Sequence, residues 1–376
     1  MWTQISDEFI MSDKPYGPGD FRILNQEVVS LKRSKPETVT RPMTPKELAT
    51  PNSVAEYTEA WMSDPNERAN RRSVRVLVGA IGTEPRRTLE VRAQRANWNL
   101  TSDLKSIYLA TGWSDYRISP KSNSGYAPQL TKLFKSANRG QDWERLNWPE
   151  NSDISFLRFL DAQRGYAIGW GPRIWRTADG GGSWTEIPVP NAARHPADVR
   201  KQFDAVVLGN DGVLRVAFAT HESTSGGFVS QVHALRWDAS APSLAYTLPS
   251  YTVADLADHL GHLYVLAWNG QSSGDDSLPL STSVFYAGQQ GLELRHEFAP
   301  GFKAYALYIT PSGGLLADGI DEQSRRPEDL TAISYDAGKS WNLQNEGASA
   351  QGGYYDTQNG IRWRVVGYSL YKRNIP

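Results

Sequence analysis

The chain has 376 residues, a net charge of −1, no cysteine, and many residues that favour short strands and tight turns: 13 tryptophans, 17 tyrosines and 32 glycines. The near-zero charge argues against a nucleic-acid partner, which needs a basic surplus on one surface, and the absence of cysteine excludes disulfides and thiolate metal ligands. Because the sequence has no apolar run long enough to cross a membrane and no signal peptide at its start, we expect a soluble protein whose compartment the sequence leaves open: cytoplasmic, or periplasmic if a leader was removed.

Residues 1–72 differ in composition from the rest of the chain. They are rich in proline and turn-forming residues, and within them only residues 21–31 have the pattern of a strand. Between residues 52 and 62, apolar side chains recur at helical intervals behind an Asn-Ser start. We predict an N-terminal extension over residues 1–72 whose short helix packs on the outside of the following domain. A partner-binding arm is the alternative.

From Ser73 onward, apolar residues alternate with polar ones, which is the period of a strand with one buried face. Short runs of this kind, separated by turn residues, continue to the C-terminus. The pattern predicts an all-β domain over residues 73–376. Strands from both of its ends are expected to share one sheet, because this arrangement removes free sheet edges.

Three turns share the pattern Ser/Thr-x-Asp/Asn-x-Gly-x-x-Trp, and each lies between two strand-like runs. We number these box turns 1 to 3; their pattern residues are Ser136, Asn138, Gly140 and Trp143, then Thr177, Asp179, Gly181 and Trp184, then Ser334, Asp336, Gly338 and Trp341. The Asp or Asn is expected to accept hydrogen bonds from turn amides, the hydroxyl to close the loop, and the glycine to adopt a backbone shape that other residues resist. The tryptophan is expected to fold under the turn and anchor it to the sheet.

The box turns resemble the Asp-box, or BNR repeat, of the Asp-box β-propellers, which include sialidases, sortilin-type domains, some glycoside hydrolases and photosystem II assembly factors. The resemblance implies a β-propeller of four-stranded antiparallel blades with Asp-box hairpins over residues 73–376. It also implies that the box residues themselves are structural. The resemblance is specific for the blade and weakly informative about function.

The spacing of the box turns sets the number of blades. Ser136 and Thr177 are 41 residues apart, which is one blade of ordinary size. Thr177 and Ser334 are 157 residues apart, or three blades of about 52 residues each. Five blades therefore lie between residues 98 and 347, and the terminal strands with the hairpin from Ser73 form a sixth, or split into a sixth and a seventh. We predict six blades, with seven as the alternative.

Resemblance to the sialidases implies a particular set of catalytic residues. Those enzymes hold a carboxylate with three arginines, the first in a Phe/Tyr-Arg-Ile-Pro motif, and use a tyrosine as nucleophile and an aspartate as acid/base. Here Arg117 occupies such a motif, but Ser119 replaces the proline. Arg117, the neighbouring Asp115, and Tyr354 and Tyr355 are weak catalytic candidates. We commit to no catalytic residue.

Other glycosidases need two carboxylates across a cleft, and Asp115, Asp161 and Asp204 lie near predicted strand ends. His259 and His262 have metal-like spacing, yet they fall on a predicted β-turn without a carboxylate ligand. We expect no metal site and no cofactor.

Four polar insertions are assigned to connections between the second and third strands of their blades, on the face opposite the box turns. They are Pro120–Gln129, His221–Ser230, Gly270–Ser281 and Ile320–Asp329. Long loops in compact folds are often functional, so we predict partner contacts on this face. The predicted contacts are Tyr126, Phe228, Asp275, Asp276, Arg325 and Arg326.

Two classes of function fit these observations. The sequence favours a non-catalytic propeller that presents a loop-rich face to a macromolecular partner, as in assembly factors or immunity-type proteins. A protein partner is expected first and a glycan second. The alternative is a sialidase-like or other glycoside hydrolase.

Overall fold

The structure is a computed structural model, and it describes the strands of the chain together with many of the turns between them. The described residues are 3–6, 21–24, 27–33, 73–80, 86–92, 95–100, 106–112, 132–149, 154–169, 173–189, 203–221, 228–259, 261–269, 281–321, 329–345, 352–356, 359–366 and 369–375. Every regular element within them is a β-strand, which confirms the predicted all-β class. The helix predicted between residues 52 and 62 lies outside this part of the chain.

The strands, numbered in chain order, form two compact units. The N-terminal unit, Ser6–Glu186, contains three antiparallel sheets of four strands each. The last strand of the third sheet ends at the unit boundary. The first sheet has β2 (Phe21–Leu24), β3 (Glu27–Arg33), β4 (Ser73–Ala80) and β5 (Arg86–Arg92). The second has β6 (Arg95–Leu100), β7 (Ile107–Gly112), β8 (Lys132–Ser136) and β9 (Glu144–Leu146). The third has β10 (Ile154–Phe159), β11 (Gly165–Gly169), β12 (Arg173–Thr177) and β13 (Thr185–Ile187).

The C-terminal unit, Ile187–Pro376 with Met1–Ile5, contains four further sheets of four strands. Its first sheet has β14 (Ala205–Leu208), β15 (Leu214–His221), β16 (Phe228–Leu235) and β17 (Ser243–Pro249). Its second has β18 (Tyr251–His259), β19 (His262–Asn269), β20 (Ser281–Gly288) and β21 (Gly291–Glu297). Its third has β22 (Phe302–Ile309), β23 (Leu315–Asp321), β24 (Asp329–Ser334) and β25 (Asn342–Asn345). The terminal sheet has β26 (Gly352–Asp356), β27 (Ile361–Val366), β28 (Ser369–Asn374) and, at its outer edge, β1 (Thr3–Ser6).

These four-stranded antiparallel sheets are the blades of a β-propeller, as predicted. The described strands form seven sheets, which is the count of the seven-bladed alternative. The strands at the two ends of the chain separate into two sheets, one of β2–β5 and one of β26–β28 with β1. One sheet therefore combines N- and C-terminal strands, but its N-terminal strand is β1, whereas the hairpin from Ser73 pairs with β3 in a different sheet.

The predicted boundary at Ser73 falls inside a sheet, because β3 pairs with β4 along its whole length. Leu31 lies opposite Val76, and Lys32 lies opposite Arg75. The boundary was placed where the composition changes, and composition carries no information about pairing between strands that residues 34–72 separate. Strands from the proposed extension therefore belong to the sheets.

The core of the C-terminal unit lies between neighbouring sheets, and β19 shows why its sequence is almost continuously apolar. Val265 packs towards the sheet that begins with β14, in a cluster with Val232. The next residue, Leu266, packs towards the sheet that begins with β22, in a cluster with Leu307. Because successive side chains of a strand point to opposite faces, a strand buried on both faces needs apolar residues at every position.

The three box turns have the hydrogen bonds expected from their sequence. In box turn 2, Thr177 Oγ1 accepts from the Gly181 amide at 2.9 Å, and Asp179 Oδ1 accepts from the Ser183 amide at 2.8 Å. In box turn 3, Ser334 Oγ accepts from the Gly338 amide at 2.9 Å. Hydrogen bonds from Ser183 and Thr177 hold the pKa of Asp179 at about 2.

The tryptophans anchor the turns in two different ways. In box turns 1 and 3, the indole Nε1 donates to the carbonyl oxygen of the box glycine, from Trp143 to Gly140 and from Trp341 to Gly338, both at 3.0 Å. In box turn 2, Trp184 instead packs edge-on against Trp148, with ring centroids 5.3 Å apart. The sequence pattern predicts that the tryptophan anchors the turn, but it does not predict which groups the indole contacts.

Candidate partner-binding site

The long connections and the box turns leave opposite ends of their sheets. The connections over residues 113–131, 222–227, 270–280 and 322–328 each join the second strand of a sheet to its third, as expected from the sequence. The box turns join third strands to fourth strands: β8 to β9, β12 to β13 and β24 to β25. Because consecutive strands of an antiparallel sheet run in opposite directions, these two kinds of connection emerge at opposite ends.

Three of the long connections belong to consecutive sheets of the C-terminal unit. The first strands of these sheets, β14, β18 and β22, lie side by side, and each sheet repeats the same strand order. The connections 222–227, 270–280 and 322–328 therefore leave the same end of this unit. We call it the connection end of the C-terminal unit.

Most of the predicted contact residues lie outside the described part of the chain. Tyr126, Asp275, Asp276, Arg325 and Arg326 all fall in the connections between described strands. Phe228 is an exception and a correction to its placement in a loop, because it begins β16 and pairs with His221 across the sheet. The glycine and serine residues before Phe228 suggested that the loop continues past it. In the structure, β16 already begins at Phe228.

The described residues of the C-terminal unit do form one polar group near its connection end. It lies where the β22–β25 sheet packs against the terminal sheet. The inner part of this junction is apolar: Leu316 and Ile333 pack with Tyr355 and Ile375, and Tyr308 contacts Tyr355 edge-on at a centroid distance of 5.6 Å.

The outer part of the junction is ionic. Arg362 of β27 donates from Nη1 to Asp318 Oδ1 at 2.6 Å and to Thr331 Oγ1 at 2.7 Å. Thr331 Oγ1 in turn donates to Asp318 Oδ1 at 3.0 Å. The side chains of Asp318 and Arg362 are 14% and 17% exposed, so the pair is largely shielded from water. Charge-assisted hydrogen bonds of this kind are strong, so they fix the positions of both side chains.

Tyr305 stands next to this ion pair at an irregularity in β22. The β22–β23 register shifts between Ala304 and Ala306, which leaves Tyr305 as the extra residue of a β-bulge. Its neighbour Ala306 lies opposite Asp318. The tyrosine is 49% exposed, although β22 is a first strand and no other residue of β22 is exposed. Bulges often re-aim a side chain next to a functional site.

The charges around Tyr305 are mostly negative. Partial burial raises the pKa of Tyr305, the negative charges of Asp318 and Asp329 raise it further, and Arg362 opposes them. Asp329 begins β24, immediately after the connection 322–328. We call Tyr305, Asp318, Asp329, Thr331 and Arg362 together the Tyr305 site.

The buried carboxylate of Asp255 links two neighbouring first strands in the same unit. Asp255 of β18 accepts the Leu307 amide of β22 at 2.8 Å and the Leu256 amide at 2.9 Å. Burial raises the pKa of Asp255 to about 6, against the effect of these two hydrogen bonds. Both carboxylate oxygens are used by backbone amides, so Asp255 connects two sheets.

The sialidase-type candidates do not converge in the described residues. Arg117 and Asp115 lie outside them, and the structure describes only the backbone of Tyr354, in β26. Tyr355 is buried between Tyr308 and the apolar residues of the junction. Burial and the neighbouring Asp356 raise the pKa of Tyr355 to about 12. A tyrosine nucleophile needs its phenol activated, and this environment acts in the opposite direction.

The other carboxylates proposed from the sequence contact the local backbone. Asp161 Oδ1 accepts from the amides of Gln163 and Arg164 in the β10–β11 turn. Asp204 Oδ2 accepts from the Ala219 amide at 2.8 Å. Hydrogen bonds of this kind shape turns and strand ends.

A second ionic group links β15 to β18 of the neighbouring sheet in the C-terminal unit. Arg215 lies 2.8 Å from Asp211 in its own sheet and 2.9 Å from Asp258 in the next sheet. The Asp258 side chain is fully buried, and burial raises its pKa although Arg215 opposes this. A Cβ at Gly209 would lie 2.4 Å from Asp258 Oδ1 and 2.7 Å from Arg215 Nη1, so glycine is needed where the turn approaches the pair.

The histidine pair forms a turn, as predicted. His259 and His262 pair directly across a two-residue loop in which Gly261 has a φ of 82°. His262 Nδ1 lies 2.8 Å from Tyr286 Oη, within hydrogen-bonding distance. Within the described ranges, no group of three or more histidine, aspartate or glutamate side chains could hold a metal ion. The same ranges contain no helix with the length and apolar character needed to cross a membrane.

The sequence interpretation missed the Tyr305 site. One signal was present: Asp318 is an acidic residue in the middle of β23, between the apolar residues Ala317 and Ile320. A lone charge at a strand position of this kind needs a partner. Its partner, Arg362, lies 44 residues further on and in another sheet, so the sequence does not identify it.

Comparison with known proteins supports the fold alone. No protein-family model matches the sequence, and no curated protein matches it. Solved structures do match, at low sequence identity. A structure of YCF48 bound to a D1 peptide is 12% identical, covers 82% of this chain and 89% of its own, and has a TM-score of 0.50.

Two other matched structures cover nearly the whole chain. The β-propeller domain of the Trilobed protease from Pyrococcus furiosus, which has an open velcro topology, is 9% identical, covers 96% of this chain and 95% of its own, and has a TM-score of 0.53. A PL25 ulvan lyase bound to -[GlcA(1-4)Rha3S]- is 10% identical, covers 99% of this chain and 95% of its own, and has a TM-score of 0.54. These proteins have different activities, so their common feature is the β-propeller.

Proposed function

We propose that this protein is a non-catalytic propeller of the Asp-box type that binds a protein partner at the connection end of its C-terminal unit. The observation that carries the proposal is the placement of the long connections. In three consecutive sheets of this unit they leave the same end, while the compact box turn of the β22–β25 sheet occupies the other. A tight turn is enough to join the second and third strands of a sheet, whereas these connections have six, eleven and seven residues. Loops on a rigid scaffold commonly bind partners.

The chemistry of the described side chains supports binding over catalysis. Tyr305 and Tyr355 both have raised pKa values, so neither phenol is prepared to act as a base or a nucleophile. Asp318 Oδ1 already accepts hydrogen bonds from Arg362 and Thr331. YCF48, a protein of the same fold, has a structure with a D1 peptide bound, which agrees with a protein partner for this chain.

The test compares variants in which each long connection is shortened to a tight glycine turn. Wild-type protein is used as bait in an extract of the native host, and retained proteins are identified by mass spectrometry. We expect one protein to be retained by the wild type and lost by at least two of the three variants shortened at 222–227, 270–280 or 322–328. Melting temperatures should stay close to that of the wild type.

A box-face variant provides the matched control. Tyr335→Ala removes a side chain that is 63% exposed within box turn 3 and should leave retention unchanged. Retention by all three shortened variants would contradict the proposal. Hydrolysis of a fluorogenic sialoside that Arg117→Ala abolishes would replace it with the sialidase-like alternative.

A further inference from the structure

We propose that the Tyr305 site binds a lysine or arginine side chain of the partner protein. The inference rests on the proposed function, since it names the chemistry of the group that docks at the connection end. It depends on the exposure of Tyr305, on its position at a bulge, and on the charges of the three residues Asp318, Asp329 and Arg362 around it.

Tyr305 is placed for contact with another molecule. The first strand of the neighbouring sheet, β18, has a bulge of the same kind between Val253 and Asp255, and the extra residue there is Ala254. The bulge therefore does not require a large side chain. At the corresponding position of β22, a tyrosine leaves about half of its surface in water. Tyrosine is among the residues that most often dominate binding energy at protein interfaces.

The charges of the site favour a cation. Arg362 supplies the positive charge, but its Nη1 donates to both Asp318 and Thr331, and its side chain is 17% exposed. Asp318 and Arg362 therefore neutralise each other, while Asp329 adds a second negative charge near the tyrosine ring. A carboxylate or phosphate ligand would be repelled at this position, because like charges in a partly desolvated site interact strongly.

An aromatic ring beside carboxylates is suited to a basic side chain. A lysine ammonium or an arginine guanidinium is attracted to the face of a tyrosine ring and more strongly so in a partly desolvated setting. Asp329 adds electrostatic attraction for the same group, since it begins β24 beside the connection 322–328 and its charge acts on Tyr305. The site would thus bind one basic side chain of the partner protein.

The test uses defined peptides with the full-length protein. Fluorescein-labelled peptides of alternating glycine and lysine, glycine and serine, or glycine and glutamate are titrated, and binding is followed by fluorescence anisotropy. We expect the lysine peptide to bind most tightly. Tyr305→Ala should weaken its binding about tenfold and Asp329→Asn about threefold, whereas Tyr305→Phe, which keeps the ring, should bind like the wild type.

The control is Tyr335→Ala, which removes a more exposed tyrosine from box turn 3 and should leave the lysine peptide bound as before. Circular dichroism melting of each variant shows whether the fold is retained. The proposal is overturned if no peptide binds, if the glutamate peptide binds as well as the lysine peptide, or if Tyr305→Ala has no effect.

Failure of this inference is distinguishable from failure of the proposed function. If the partner from the host extract is lost on shortening 322–328 but retained by Tyr305→Ala, the connection end binds the partner without a basic side chain at Tyr305. If the shortened variants all retain the partner, the proposed face is wrong, and the peptide titrations still decide whether Tyr305 binds cations.

Discussion

At the residue scale, the three box turns share one position with a left-handed backbone conformation but place different residues there. Arg139, Gly180 and Ala337 occupy the same position, just before the box glycine, and all three have positive φ: 57°, 73° and 59°. The left-handed region costs a residue with a Cβ about 1–2 kcal/mol, and glycine adopts it without that cost. Box turns 1 and 3 therefore carry local strain that box turn 2 avoids.

The equivalent substitutions in box turns 2 and 3 should have opposite effects. We expect Ala337→Gly to be stabilising by up to about 1 kcal/mol, because relief of the strain exceeds the extra entropy of the unfolded chain. Gly180→Ala should be destabilising by about 1–3 kcal/mol, since its Cβ would also lie 2.8 Å from the Ala162 carbonyl oxygen. Urea denaturation of the two variants measures both values. A destabilised Ala337→Gly variant would show that the turn does not hold this residue under strain.

At the scale of the elements, neighbouring sheets of the C-terminal unit are joined by polar links as well as by apolar packing. Asp255 connects β18 with the backbone of β22, and Asp258 connects β18 with Arg215 of β15. Both carboxylates lie on the first strand of one sheet. Apolar packing between sheets is tolerant of small shifts, whereas an ion pair or hydrogen bond requires one relative position.

The Arg215 link should be costly to break. Removal of Arg215 leaves the fully buried Asp258 without its positive neighbour, so we expect Arg215→Ala to destabilise the protein by about 3–5 kcal/mol. The matched control is Arg236→Ala, which removes an arginine 3.8 Å from Asp238 in a pair whose side chains are 78% and 85% exposed. That change should cost less than about 1 kcal/mol. Equal effects in denaturant titrations would contradict the buried link.

At the scale of the whole molecule, the first strand of the chain belongs to the last sheet. β1 forms the outer edge of the sheet that contains β26, β27 and β28. Without it, β28 would present its backbone groups to solvent along an open edge, which invites pairing with another chain.

Deletion of residues 1–6 should therefore lower the melting temperature by several degrees and promote self-association through β28. Differential scanning calorimetry and light scattering measure the two effects. As a control, six Gly-Ser residues added before Met1 should change neither. A deletion variant that melts like the wild type and stays monomeric would show that β1 contributes little to the terminal sheet.

The parts of the structure that follow from local sequence were predictable, and those that depend on distant pairing were not. Thr177, Asp179 and Gly181 interact within one turn, so their hydrogen bonds follow from the pattern. The pairing of β3 with β4 spans residues 34–72, which is why composition placed the domain boundary inside a sheet. The pair of Asp318 and Arg362 joins two sheets, so the strand patterns indicate neither its existence nor its position beside Tyr305.

The place of β1 in the terminal sheet also fixes an order of events during synthesis. β1 is translated before all the other strands of its sheet, and β28, the strand beside it, follows more than 360 residues later. A ribosome that adds about 5–20 residues per second needs roughly 20–75 s to synthesise the residues between them. Throughout that time, β28 is not available to pair with β1. Folding of the terminal sheet can therefore be completed only after β28 has left the exit tunnel.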